Sequence, residues 1–277
     1  MNYQILIFSI FVVFALIEAR HSSFFNKSNE VKADGIVELV GTVLLFVFTQ
    51  PFILFSAAWL ATLLVPQFAG VLSDTSIWLQ FVLLIIFDDM TQYWWHRTSH
   101  NYIPLYKLHR AHHNAKYMSI RIVYRNSFFY YLLMPSLWIS GILIYLGLGW
   151  AYAFYVVAKL AIIMGAHSEW KWDKALYEIR LLHPVMWLLE RIISTPSTHS
   201  GHHGLSKDDP ATHYKGNYGN MFFFWDIVFG TAKITRQYPL SYGVEGMRKA
   251  EWTEQLFWPL VKTKKKRFTE KIQSVKS

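Results

Sequence analysis

Long apolar runs dominate the chain, and shorter stretches rich in charge or histidine separate them. Five such runs occupy residues 4–18, 36–66, 77–95, 127–147 and 150–166. A helix needs about 20 apolar residues to cross the hydrocarbon core of a bilayer, so the runs predict membrane helices. At the N-terminus, MNYQ lacks a basic side chain and EARHS is a poor cleavage site, which favours a retained helix over a cleaved signal.

The run 36–66 is unusually long for one crossing. Its 31 residues would measure about 46 Å as a single helix. It therefore predicts either one long, tilted helix kinked near Pro51 or a broken hairpin. The last two runs are joined by a short stretch containing Gly147 and Gly149, which predicts a turn there.

After residue 166 no apolar run is long enough to span a membrane. Residues 167–277 are therefore expected to form a cap of short amphipathic helices, and residues 184–193 (PVMWLLERII) have the pattern of one.

Composition supports a membrane protein. The chain is 53% hydrophobic and only 16% charged, whereas a soluble domain carries about 25% charged residues. There is no cysteine, which excludes disulfides, thiolate metal sites and iron–sulfur clusters.

The distribution of basic residues predicts which loops share a side. Loops 20–34 and 96–126 carry three and six lysines or arginines, whereas loop 67–76 carries none. Lysine and arginine favour the cytoplasmic side of membrane proteins. If the run 36–66 crosses once, both basic loops are cytoplasmic and loop 67–76 is outside.

Nine histidines follow a pattern that suits metal binding. HRTSHNYIPLYKLHRAHH, at residues 96–113, begins where the third apolar run ends, and HSGHH follows at residues 199–203. Spacings of three and four residues place side chains on one face of a helix, and the predicted topology puts all of these histidines on one side. The candidate ligands are His96, His100, His109, His112, His113, His167, His199, His202 and His203.

This many imidazoles predicts two metal ions. Neutral imidazole suits zinc, copper and iron, and a tetrahedral zinc uses only four ligands. A zinc-protease helix requires glutamate at the second position of its motif, where HRTSH has Arg97. A zinc-dependent membrane hydrolase or a metal-transport protein is the alternative, although a transporter is expected to hold histidines within its spans. His21, His183 and His213 lie outside the motifs and are not expected to be ligands.

The ordered set DDMTQYWWHRTSH, HRAHH, TPSTHSGHH and NYGNMFFFWDIVFGT resembles the fatty acid hydroxylase / sterol desaturase superfamily over about residues 80–232. It looks most like the bacterial members and the alkylglycerol monooxygenase type. The resemblance implies that the eight histidines of the three motifs hold a non-haem centre, normally of two iron ions. It implies that His167 matches a further histidine of the family. It also implies oxidation of a lipid by O2.

Three carboxylates are expected to support the ligands. Asp88 and Asp89 lie near the end of an apolar run, and Asp89 precedes His96 by seven residues, which places both on one helix face. They are expected to orient ligand imidazoles by hydrogen bonding. Asp226, in FWDIVFG, is expected either to do the same or to cap its own turn.

Together these features predict an all-α integral membrane oxidoreductase with about four to five transmembrane helices and a cytoplasmic helical cap. Residues 1–79 are expected to form an N-terminal transmembrane region, 80–232 the catalytic domain and 233–277 a basic cytoplasmic tail. The chain has no G-x-G-x-x-G motif for a flavin or nicotinamide.

A separate reductase, cytochrome or ferredoxin is therefore expected to supply electrons, and nucleic acid is not an expected partner. The candidate substrates are sterol, fatty acyl, sphingolipid, carotenoid and ether lipid, and either hydroxylation or desaturation fits.

Overall fold

The computed structural model describes residues 3–21, 24–25, 32–246 and 250–263. Within them the regular elements are helices, and the extended segments pair only at two isolated bridges, which confirms the all-α prediction. In chain order the helices are α1 (Tyr3–His21), α2 (Ala33–Leu64), α3 (77–101), α4 (Ile103–His113), α5 (Phe128–Leu132), α6 (Pro135–Leu143), α7 (Gly149–His167), α8 (Trp172–Tyr177), α9 (His183–Ile192), α10 (Pro196–His202), α11 (Phe224–Val228) and α12 (Trp252–Phe257).

Helix α2 is one continuous helix, which selects the single-helix alternative for the run 36–66. A π-helical turn at Leu44–Thr49 lies just before Pro51, close to the predicted kink. Only 22% of the most apolar 18-residue stretch of α2 is buried inside the protein. The outward side chains are large and apolar, among them Phe52, Phe55 and Trp59. Such a surface suits lipid and does not suit the core of a soluble protein.

By length and composition, two helical stretches of the described residues qualify as candidates to cross a membrane, Ala33–Leu64 and Pro135–His167, and the second contains the turn at Gly147 described below. The total number of crossing helices stays a prediction. The fourth apolar run, 127–147, is not one continuous helix, because α5 ends at Leu132 and a new helix starts at Pro135. Proline lacks the backbone N–H that an unbroken helix needs at that position.

The chain reverses direction at Gly147, as the short linker predicted. Gly147 has φ 112°, and a Cβ there would lie 2.7 Å from the backbone nitrogen of Ser73, so only glycine fits. The carboxylate of Asp88 accepts hydrogen bonds from Ser140 Oγ at 3.0 Å and from the Tyr155 hydroxyl at 2.6 Å. Since Ser140 and Tyr155 flank Gly147 in sequence, α6 and α7 are the two arms of a hairpin that packs against α3.

One end of the molecule is formed by two loops. Backbone N–H groups of Gly70 and Leu72 donate to the carbonyls of Tyr145 and Leu146, at 3.0 and 2.8 Å, so loop 67–76 contacts the hairpin tip. The first histidine of α3 lies 19 residues beyond the helix start at residue 77, which corresponds to about 29 Å. This matches the hydrocarbon core thickness of about 30 Å. The histidines therefore lie at the opposite end.

The histidine end also gathers the end of α1 and the start of α2. Glu18, fully buried, accepts hydrogen bonds from Ser119 Oγ at 2.6 Å and from the backbone N–H of Ile120 at 3.0 Å. Arg125, also fully buried, lies 2.6 Å from the carboxylate of Asp34. The described residues at the two ends of loop 20–34 thus lie with loop 96–126 at one end of the molecule, and loop 67–76 lies at the other, as a single crossing requires. The compartment on each side stays a prediction.

Part of the segment expected to be a tail packs into the fold. Helix α12 buries Leu256, and Glu254 pairs with Arg110 of α4 at 2.5 Å. The boundary of the predicted tail stays untested, and most of the KTKKKR stretch lies outside the described residues.

Candidate metal centre

Helices α3, α4, α7 and α10 position the nine histidines. Helix α3 carries two of them, α4 carries three, α7 ends on His167 and α10 with its C-terminal cap carries the last three. Helix α10 begins at a capping box, in which Thr195 and Thr198 form a reciprocal hydrogen-bond pair, and Pro196 follows Thr195. A Cβ at Gly201 would lie 2.8 Å from the carbonyl oxygen of Ala211, which explains the glycine within HSGHH.

The structure gathers the nine imidazoles into two adjacent groups. In each group the potential ligand atoms all lie within 4.8 Å of one another. The first group contains His96, His100, His109, His113 and His202, and the second contains His112, His167, His199 and His203. Each group draws on separate parts of the sequence, and all nine residues except the partly exposed His100 are buried. Every histidine predicted to be a ligand therefore lies in one of the two groups.

Hydrogen bonds fix which ring nitrogen carries the proton. In four histidines Nδ1 lies 2.7 to 2.9 Å from a backbone carbonyl oxygen, which can only accept. These are His96 with Tyr218, His112 with Ile122, His167 with Ile163 and His202 with Gly216. Nδ1 must therefore donate, and Nε2 keeps its lone pair free for a metal. His109 makes the equivalent contact with Asn126 Oδ1 at 2.8 Å.

The free nitrogens point at one another. Nε2 of His202 lies 3.0 Å from Nε2 of His96, and Nε2 of His199 lies 2.9 Å from that of His167. In His96 and His202 the proton is on Nδ1 of both rings. Both Nε2 atoms therefore carry lone pairs, and neither can donate a hydrogen bond to the other. A cation held by both nitrogens would remove the repulsion. Two nitrogens about 2.1 Å from one ion lie about 3.0 to 3.4 Å apart at angles from octahedral to tetrahedral.

Burial keeps these imidazoles neutral, as metal ligands must be. Burial lowers the pKa of His96 to about 4. It also lowers the pKa of His100, His113 and His203 well below the usual value, and neighbouring imidazoles lower it further. The Nε2 of His100 and the Nδ1 of His199 are buried without a hydrogen-bond partner in the described structure. A set of converging, neutral and partly unsatisfied imidazoles fits two transition-metal ions.

Asp88 and Asp89 were expected to orient ligand imidazoles, but in the structure their carboxylates contact other residues instead. Asp88 pairs with Lys159 of α7, and Asp89 accepts from the indole N–H of Trp225 at 2.9 Å. Among the described contacts neither carboxylate reaches a histidine. The reason is distance along the helix, because seven or eight residues before His96 correspond to about 10 to 12 Å. Sharing a helix face is not enough for a hydrogen bond.

Asp226 caps its own turn and through it supports a ligand. Its carboxylate accepts from the backbone N–H groups of Tyr218 and Gly219 at 2.8 and 2.7 Å, and from Thr231 Oγ1 at 2.6 Å. The carbonyl of Tyr218 is the acceptor for His96 Nδ1. Asp226 therefore positions the group that orients His96, without contacting the imidazole itself.

The remaining histidines lie apart from both groups. His183 is exposed, and its Nε2 lies 2.9 Å from the carbonyl of Tyr177. His213 Nε2 lies 3.1 Å from the carbonyl of Thr231, and His21 stacks on Trp170.

Sequence reasoning missed the carbonyl groups and Asn126 that orient the ligands. Only the motif NYGN, which supplies Tyr218, pointed to any of them.

An apolar cavity approaches the centre from the membrane part of the molecule. Its volume is about 680 Å³, and α1, α2, α6 and α7 supply apolar walls that include Phe11, Phe46 and Leu137. His109, His112 and His167 line its inner end. Two polar atoms of residues in its wall, Gln92 Oε1 and the Tyr124 hydroxyl, have no hydrogen-bond partner in the described structure.

A second cavity, of about 380 Å³, reaches the centre from another direction. Three other histidines, His100, His113 and His202, line it together with polar residues that include Lys215 and Glu245. No residue lines both cavities. The two groups of histidines therefore stand between the two cavities.

The comparisons with known proteins agree with this geometry. The family model for fatty acid hydroxylase matches residues 81–231. Alkylglycerol monooxygenase from Danio rerio is 27% identical over 165 residues, which are 56% of this chain and 30% of the relative. Alkylglycerol monooxygenase from Homo sapiens is 28% identical over 158 residues, or 56% of this chain and 31% of the relative. The chain thus spans less than a third of the length of these relatives. No solved structure matches it.

The family match covers more than half of the 277 residues and includes all nine clustered histidines. It also includes the turn of NYGN and the Asp226 carboxylate that holds it. The chain belongs to the fatty acid hydroxylase family.

Proposed function

We propose that the chain is a multi-pass membrane oxidoreductase that hydroxylates or desaturates a lipid with O2 and external electrons, at a di-iron centre on the cytoplasmic face. One observation carries this proposal: two groups of neutral imidazoles end an apolar cavity whose walls belong to helices with lipid-suited surfaces. The family match and the names of the two relatives support it.

The metal pair, when bound, would supply the activation of O2 that an unactivated C–H bond requires, which redox-inert zinc does not provide. His96, His100, His109, His113 and His202 would hold one ion, and His112, His167, His199 and His203 the other. In a hydroxylation, one oxygen atom enters the lipid C–H bond and the other leaves as water. This balance consumes two electrons and two protons, which an external donor must provide.

The chain's own residues prepare the site. The carbonyls of Tyr218, Ile122 and Gly216 hold three ligand rings in one tautomer, so little reorganisation is needed when metal binds. The apolar walls exclude water from the lipid side and align an extended chain with the histidines. The orphaned polar atoms of Gln92 and Tyr124 lie in the cavity wall. They offer hydrogen bonds to a polar group of the lipid close to the centre.

The alternative of a zinc-dependent hydrolase has less support from the site. A hydrolase needs a general base beside the metal-bound water. Asp88, Asp89 and Asp226 are all engaged with other partners. A transporter has less support as well, because the histidines lie at one end of the helices and close the cavity.

Lipid mass spectrometry tests the proposed reaction. Cells that express the chain should contain a lipid with one added oxygen or with two hydrogens fewer, and cells without the chain should not. The matched control is His202→Ala expressed at the same level, which removes one ligand from the first group. A product that persists in this variant would contradict the proposal.

A further inference from the structure

Helix α9 carries an apolar stripe that faces away from the protein. Leu181, Val185, Leu188 and Ile192 are all exposed, and Leu181 is 86% exposed. Within α9, spacings of three and four residues place Val185, Leu188 and Ile192 along one line of the helix surface, and Leu181 lies in the 3-10 turn Arg180–Leu182 just before the helix. The buried residues of α9 lie on the opposite face, at Met186 and Glu190. The helix is thus amphipathic with its apolar side turned outward, which water would disfavour.

Helix α11 contacts α3 within the apolar run 77–95. Its Trp225 donates to Asp89 at 2.9 Å, and Asp89 precedes His96 by a helical rise of about 10 Å. That rise is directed toward the hairpin tip, and so away from the histidine end. Val228, three residues after Trp225 in α11, is exposed. Part of the cap therefore reaches a level that α3 occupies within its apolar run.

The exposed surface of α3 continues onto the cap. Val82, Ile86 and Trp94 follow one another along the outer side of α3. The Trp94 ring lies 4.9 Å from the ring of Phe229, the residue that ends α11. A backbone hydrogen bond joins α11 to α9. The N–H of Phe223, just before α11, donates to the carbonyl of Ile192 at 2.8 Å.

The residues at the edge of the stripe suit a membrane interface. Arg191 stacks over the ring of Trp187, with its guanidinium carbon 4.1 Å from the ring centre, and Arg180 is exposed at the start of the segment. Tryptophan and arginine prefer the headgroup region, where an apolar body meets a polar surface. A water-soluble partner protein would have to cover both the stripe and the adjoining surface of α3.

From these contacts we infer that α9 lies in the plane of the membrane interface, with Leu181, Val185, Leu188 and Ile192 inserted among the lipid acyl chains. This inference rests on the proposed membrane location of α2 and α3, but not on the reaction. The helix holds the cap at a fixed depth, about 5 to 10 Å into the boundary between headgroups and acyl chains. The partner of this surface is the bilayer itself.

Single-cysteine labelling tests the inference, since the chain has no native cysteine. A polarity-sensitive fluorophore is attached to Leu188→Cys in the full chain, reconstituted in vesicles of phosphatidylcholine and phosphatidylglycerol. Asp208→Cys, an exposed site on a polar loop of the cap, is the water-facing control. Val82→Cys of α3 is the control inside the bilayer. Metal content equal to that of the parent protein shows that each labelled variant is folded.

The label at residue 188 should emit at shorter wavelength than the label at 208. It should lose fluorescence to nitroxides placed near the headgroup end of the acyl chains, and aqueous iodide should leave it unaffected. The label at 82 should respond most to nitroxides placed deep in the chains. Iodide quenching at 188 equal to that at 208 overturns the inference. Protection from both quenchers, with disulfide cross-linking between copies of the unlabelled Leu188→Cys variant, overturns it in favour of a second chain.

Discussion

His167 Nε2 lies 2.9 Å from His199 Nε2, and this contact joins the last residue of a hairpin arm to a short helix of the cap. The two residues are 32 positions apart in sequence. Both belong to the second group of histidines. Metal binding at this group would therefore connect the membrane part of the molecule to its cap.

Metal removal should destabilise the protein. We expect two transition-metal ions per chain in purified protein, with iron in the active form, because the nine imidazoles form two separate groups. Chelation should lower the thermal midpoint, since metal bound only by the folded state adds its binding free energy to stability. Elemental analysis and calorimetry check both statements. One ion per chain, or full turnover with zinc alone, would contradict the assignment.

Replacing one ligand should abolish turnover without preventing membrane insertion. His112→Ala removes a ligand from the second group and leaves the carbonyl of Ile122 without its donor. His100→Ala and His202→Ala test the first group in the same way. His21→Ala is the matched control, because His21 lies apart from both groups and should keep normal activity. Normal turnover in His112→Ala would show that the ligand set is wrong.

The role of Asp226 can be measured through metal affinity. Asp226→Asn should lose one of the two backbone hydrogen bonds that hold Tyr218 and Gly219. The Tyr218 carbonyl then orients His96 less firmly. Changes to groups that orient ligands cost about 10- to 100-fold in metal affinity, and we expect the lower end because the effect is indirect. Asp208→Asn is the exposed control, and competition with a chelator measures the affinity of both variants.

The buried pair of Lys159 and Asp88 should be worth more intact than with one partner missing. Lys159→Met leaves the carboxylate unpaired, and breaking a buried pair costs about 3 to 5 kcal/mol. The double variant with Asp88→Asn removes both charges and should recover much of that loss. Thermal midpoints in detergent check the order of stability. A double variant less stable than Lys159→Met would show that the pair has no coupling of this kind.

Sidedness can be read from two cysteines. A cysteine at Ser73 should react with a membrane-impermeant reagent added from outside intact cells, and a cysteine at Asp208 should not. The structure places loop 67–76 and the histidines at opposite ends, and the six basic residues of loop 96–126 predict the cytoplasmic side. The reverse labelling pattern would overturn the topology, together with the cytoplasmic electron donor.

Much of this arrangement could be predicted from the sequence, because it depends on local spacing. The turn at Gly147 follows from a few neighbouring residues, and the continuous α2 is one of the two alternatives that the run 36–66 allowed. The convergence of the histidines followed from placing loops on one side. Lys159, although it lies within an apolar run, is neutralised by its ion pair with Asp88.

Other features depend on contacts that no local pattern encodes. The carbonyl of Gly216 orients His202 across 14 residues, and that of Tyr218 orients His96 across 122. Any residue can supply a backbone carbonyl, so its identity leaves no trace in the sequence. The partners of Asp88 and Asp89 were missed because a shared helix face suggested contact with His96. Both residues lie too far from His96 along α3 for a hydrogen bond.

The separation of the two cavities bears on how this enzyme family could diversify. Residues that line the apolar cavity, such as Phe46 and Leu137, are not among those that line the second cavity, such as Tyr106 and Lys215. A substitution in one wall leaves the other intact. If the apolar cavity holds the lipid as proposed, a lineage could exchange one lipid for another while the second wall stays unchanged, and a protein engineer could alter the two walls one at a time.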